Sequence, residues 1–161
     1  MADDPHRLRP DHHPTPFSAA EIRAGFVPGR IVRSLVAEGD AAPVVRVRHN
    51  LAADDDGGVY EFWAETPDGE RVGEAAQSRS TWLELQEHAS MPIEATTIEP
   101  VTIDVPMGTF DGLLYKRIDG DTVDSFWFAM ARPGAPLRMV ETVGGRVVYS
   151  STAISEESPT S

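Results

Sequence analysis

The chain contains no cysteine, which excludes thiolate nucleophiles, disulfides and cysteine-ligated zinc or iron–sulfur centres. Acid–base or metal chemistry therefore falls to histidines and carboxylates. His49 lies in VVRVRHNL (44–51), where alternation places it on one face with Val45, Val47 and Leu51. An imidazole there could act as a base or hold a polar head group. Glu61, near the centre of the following strand, could orient it in a small barrel enzyme of cyclase or isomerase type. The relative parity of the two strands depends on the loop at 54–58 and stays open. The competing reading is a core histidine satisfied by one hydrogen bond.

The remaining constellations point to structure. His6, His12 and His13 sit in a polar arm with nothing to pre-organise a metal site. Asp119, Asp121 and Asp124 resemble a calcium loop but lack its bidentate glutamate, so a solvated hairpin tip is expected. Asp104 and Asp111 flank the turn at Pro106, and turn-capping is expected of Asp111. Nucleophile elbows, phosphate-binding glycine loops, dinucleotide fingerprints and zinc-protease motifs are missing. No cofactor, metal or catalytic residue is therefore assigned.

The elements that would position these residues follow from periodicity. The segment 1–16 is polar and proline-rich and is expected as a disordered arm, and 155–161 as a disordered tail. A single β-rich domain spans 17–154. Two capping-box spacings, Ser18/Glu21 and Thr81/Glu84, start helices at about 18–25 and 80–90. Gly25 is expected as a left-handed stop. About nine strands fill the rest, at 30–37, 44–51, 59–66, 71–78, 96–105, 109–118, 121–130, 137–143 and 146–154. They are joined by short turns that force antiparallel neighbours. The turns of the last five strands include Pro106–Gly108, Asp119–Gly120 and Gly144–Gly145. So many strands with one inserted helix predict a mainly β fold. We expect a strongly curved antiparallel sheet, a half-open barrel, with the inserted helix against it and a short N-terminal helix.

With 26 acidic against 14 basic residues, the formal net charge is -12. This disfavours nucleic acid and anionic membranes as partners. No run is apolar enough to span a bilayer and no secretory leader is evident, so a cytoplasmic location is expected.

The segment VPMGTFDGLLYKRIDGDTVDSFWFAMARPGAP, with Val105, Pro106, Gly108, Thr109, Phe110 and Asp111, then Trp127, Phe128, Ala129, Pro133, Gly134 and Pro136, resembles bacterial β-rich domains related to the lipoprotein-carrier half-barrels. That resemblance, over roughly 96–154, implies a cavity for acyl chains between sheet and helix. It gives the first functional reading: a non-catalytic module for a hydrophobic or lipid-like small molecule, with His49, Trp63, Trp82, Tyr115 and Trp127 lining the site. The second reading starts from SFWFAM, whose two faces both carry large apolar groups and both need cover. It makes the protein an interaction or structural subunit, including a homo-oligomer, with no ligand.

Overall fold

The computed structural model describes residues 4–159; whatever is expected of 1–3 and 160–161 lies outside the described residues. The elements in chain order are α1 (Ala19–Gly25), β1 (Ile31–Glu38), β2 (Val44–Ala53), β3 (Gly57–Glu65), β4 (Arg71–Thr81), α2 (Trp82–Glu87), β5 (Thr96–Val105), β6 (Gly108–Asp119), β7 (Thr122–Ala129), β8 (Arg138–Val143) and β9 (Arg146–Glu157). All nine strands join one antiparallel sheet in the order β4-β3-β2-β1-β9-β8-β7-β6-β5. The sheet is open, with β4 and β5 as its edges, and α2 carries the chain from one edge to the other.

Local chemistry explains most boundaries. Ser18 Oγ accepts from Glu21 N at 3.2 Å while Ser18 N donates to Glu21 Oε1 at 2.9 Å. Thr81 and Glu84 repeat the exchange at 3.0 and 2.8 Å. Both capping boxes form as their spacing predicts. The second helix is shorter than expected, because β4 continues to Thr81 before the helix starts. Gly25 is not a left-handed stop; α1 ends on Phe26 in extended conformation. The glycine answers a close approach instead, since a Cβ there would lie 2.9 Å from the Pro133 carbonyl oxygen.

β5, β6 and β7 form the expected three-stranded meander. Asp119 pairs with Thr122, so the turn residues are Gly120 and Asp121, one position later than expected. Gly120 has φ +60°, as a type II′ turn requires of its first central residue. Gly144 and Gly145, with φ +60° and +81°, form a type I′ turn between β8 and β9.

Curvature follows from the packing. Tyr60 and Phe62 of β3 share one core with Tyr115, Phe126 and Phe128 of β6 and β7, through Phe17, Ile22, Phe26, Trp82 and Met91. In a flat sheet at about 4.8 Å per strand, β3 and β6 would be roughly 29 Å apart. The sheet curls around the helices, and their side chains fill the space between its arms.

Both flanking segments make defined contacts with the sheet and helices. Residues 5–16 lie against the helices: His13 N donates to the Met91 carbonyl at 2.9 Å, and Tyr115 Oη donates to Pro14 O at 2.7 Å. Gln86, only 2% exposed, accepts from Ala19 N and donates to Pro5 O and Thr15 Oγ1. Composition alone hides this, because the ordering comes from polar groups that one distant buried amide satisfies. At the other end β9 runs to Glu157. Glu156 is held by Arg30 and Arg132 and Glu157 by Arg33, so the acidic terminus is neutralised in place.

Two glycines separate conformational from steric requirements. A Cβ at Gly120 meets nothing within 4 Å, so Gly120→Val is expected to cost about 1–2 kcal/mol through its positive φ alone. A Cβ at Gly112 would lie 2.1 Å from Phe128 O. Gly112→Ala should therefore lose distinctly more stability, because β6 and β7 must separate. Thermal denaturation of both variants checks the order; a milder Gly112→Ala would contradict this register.

Candidate functional site

The five residues expected to line one pocket are distributed over three clusters. Tyr115 and Trp82 lie in the core beneath the helices, 2% and 5% exposed. Trp82 Nε1 donates to Asp54 O at 2.9 Å, and burial pushes the Tyr115 phenol up to about 12. Trp63 packs with Val45 and Val47 in a second cluster, its Nε1 donating to Glu65 Oε2 at 3.0 Å. Trp127 lies beside a third, formed by Ile103, Ala129, Leu137 and Ala153.

His49 and Glu61 are direct cross-strand partners in β2 and β3, with Nδ1 and Oε1 3.0 Å apart. The ring also meets Trp63 edge-on at 6.0 Å between centroids. The register thus answers the parity left open by the sequence. The half-exposed pair belongs to the face opposite Tyr60 and Phe62, and neither groove described below reaches it. Its geometry matches a histidine satisfied by one carboxylate.

The three N-terminal imidazoles each engage a different element. His6 contacts Asp4 and Glu21, His12 Nδ1 lies 2.9 Å from Ser90 Oγ, and His13 Nε2 donates to Thr96 O at 2.7 Å. Asp104 accepts from Thr109 Oγ1 at 2.6 Å, a local turn contact. Among the described residues no group of three or more potential metal-binding side chains converges.

Between the curled sheet and the helices, the volume a lipid would need is occupied by Phe17, Phe26, Trp82 and Met91. The better-formed depressions among the described residues are open surface grooves. One, of about 880 Å³, runs between α1 and α2 and is lined by Ala20, Arg23, Ala24, Asp55, Trp82 and Leu83. The other, about 360 Å³, lies between the β5–β6 hairpin and the end of β9, at Phe110, Arg132 and Glu156.

Electrostatic features that the sequence did not single out become visible with the register. On the helix-bearing face, Arg46 stacks over Phe62 at 4.4 Å and Arg48 over Tyr60 at 4.3 Å. Burial lowers the pKa of Arg48, whose nearest polar partner is Asn50 Oδ1 at 3.3 Å. Asp54 is held down to about 2 by Arg79, which it pairs with at 2.8 Å. Asp124, expected at a solvated tip, faces Glu141 across the β7–β8 ladder, and Asp124 Oδ1 is buried. The shared hydrogen bond and the like charge of Asp124 raise the pKa of Glu141.

β7 separates its aromatic residues by parity. Phe126 and Phe128 enter the core under the helices, while Trp127 points to the other side. Arg138, its partner on β8, lies over the indole at 5.1 Å from the ring centroid. On this helix-free face Trp127 is half-buried, with Leu114 of β6 and Arg138 beside it.

No protein-family model and no curated protein matches this sequence. Solved structures do match in fold. A crystal structure of MucB in complex with MucA(peri) superposes with a TM-score of 0.59 at 9% identity, over 84% of this chain and 52% of that one. A crystal structure of MucB alone gives 0.58 at 10% identity, over 86% and 57%. The complex structure of Pseudomonas aeruginosa MucA/MucB gives 0.57 at 11% identity, over 86% and 56%. At such identities the likeness is one of fold, and this chain spans just over half the length of those it matches.

The carboxyl pair makes stability depend on pH. With its pKa raised above the ordinary 4.5 in the folded state, Glu141 stabilises the protein when protonated. That contribution is complete below the unfolded value and is lost as pH rises through the folded one. Glu141→Gln keeps a donor toward Asp124 and removes the repulsion. Its Tm should exceed that of the parent near pH 7, with the gap closing below pH 4.5. An equal or lower Tm near pH 7 would contradict the pairing.

Proposed function

We propose that this domain is a non-catalytic protein-interaction module, built on the curved half-open sheet of the lipoprotein-carrier type but with its interior filled. The observation that carries this reading is β7. One side of the strand is committed to the core beneath the helices, while the other presents Trp127, half-buried against the smaller cluster of Ile103, Ala129, Leu137 and Ala153, on the face that carries no helix. A large aromatic residue left half-exposed beside a cation is typical of the anchors of protein interfaces. The fold is shared with MucB, which has been crystallised in complex with MucA(peri), and this favours a protein partner over a small molecule.

A hydrophobic ligand between sheet and helix would have to displace Phe26 and Trp82, whose rings pack edge-on at 5.2 Å. Catalysis by His49 and Glu61 would need a concavity beside the pair, and the grooves lie elsewhere.

Two measurements test the reading. Trp82→Ala removes a core ring and should cost about 3–5 kcal/mol. Trp127→Ala should cost less than half of that, as an interface residue does in the free protein. Native mass spectrometry of freshly purified protein should give the mass of polypeptide alone. A Trp127→Ala loss equal to that of Trp82→Ala, or a co-purifying lipid-like mass, would overturn it.

A further inference from the structure

Three adjacent rows of directly paired residues cross the helix-free face, starting at Leu114, Lys116 and Ile118 of β6 and running over β7 and β8 to β9. Residues opposite one another in an antiparallel ladder project from the same face, so register alone decides membership of these rows. From β6 to β9 none of their side chains is a carboxylate, in a chain with 26 acidic residues and a net charge of -12, and the carboxylate that borders them is Glu99 of β5, the cross-strand partner of Leu114. Their charged members are Lys116 and Arg138, both exposed. The ion pairs of the described residues are made by other cations, among them Arg30, Arg33 and Arg132. Around the two cations the face mixes apolar residues, Leu114, Trp127 and Val140, with the uncharged Ser125, Ser150 and Thr152, and Leu35 of β1 follows Thr152 in the Leu114 row.

We propose that this face docks an acidic polypeptide segment carrying apolar side chains, an assignment that rests on the interaction role above and names the partner's chemistry. Such a segment would place apolar groups on Trp127, Val140 and Leu35 and carboxylates on Lys116 and Arg138. Elsewhere the acidic surface repels it, so the charge pattern sets position as well as affinity. A second copy of this chain fits less well. A two-fold, face-to-face contact would set Lys116 and Arg138 of each copy among the cations of the other. Anionic lipid is disfavoured by the net charge of the whole.

The test is an NMR titration of the full chain with a synthetic peptide of alternating leucine and glutamate, and with its counterpart carrying lysine for glutamate. The acidic peptide should shift the Trp127 indole N–H and the amides of β6 to β8, more weakly as salt is added. The Lys116→Glu/Arg138→Glu double variant, with unchanged Tm, should bind about tenfold more weakly. Equal binding of the lysine peptide would overturn the proposal. So would shifts centred on the α1–α2 groove or on Arg46 and Arg48, although those would leave an interaction role standing. Failure of both peptides to bind would also overturn it, and if the protein then dimerises through Trp127, the face belongs to a second copy.

Discussion

The pairing of β1 with β9 is the constraint on which the rest of the structure depends. The chain makes two meanders, β1 to β4 and β5 to β9, and only this central ladder joins them into one sheet. It unites the first strand with the last, so its loop closure is the longest among the strand pairs. It also carries a bulge between Arg33 and Ser34, which adds local twist where the two meanders meet. Without this ladder the outer strands of each meander would have no reason to curl toward a common helix layer. Arg30, Arg33 and Arg132 hold Glu156 and Glu157 at its end, which keeps the last strand in place despite its acidic terminus.

Once the sheet curls, the choice between cavity and core depends on what occupies the space between its arms. Here the occupants are bulky and interlocked. Phe26 packs on Trp82, Phe17 on Phe128, and Tyr115 on Phe128, all edge-on. Gln86 ties the N-terminal segment over them through two hydrogen bonds and the start of α1 through a third. A half-open sheet filled in this way has a packed core between its arms.

The sheet edges are poor templates for a partner strand. β5 carries Pro100, which cannot donate to a ladder, and β4 is charged and interrupted by an irregularity opposite Trp63, with Gly73 at φ +76°. With both edges protected, the proposed partner is expected on the face around Trp127. Between β6 and β9 that face carries Lys116 and Arg138 and no carboxylate, in an otherwise acidic protein.

Much of the fold was legible in the sequence. Alternation marked all nine strands, two capping boxes marked both helix starts, and Gly120, Gly144 and Gly145 marked their turns, because each signal depends on residues a few positions apart. What local signals could not convey was register and long-range partnership. They could not show that His49 meets Glu61, or that Asp124 leaves its hairpin tip to face Glu141. Nor could they show that one buried amide, Gln86, orders a polar arm more than seventy residues away. The five expected site residues, His49, Trp63, Trp82, Tyr115 and Trp127, are carried by strands or by α2. Whether they converge depends on which face each strand turns to the core, and a shift of one residue reverses that. The sequence by itself determined a curved, acidic, mainly β domain; only the tertiary structure decided that aromatic side chains fill its interior and that Trp127 lies on the helix-free face beneath Arg138.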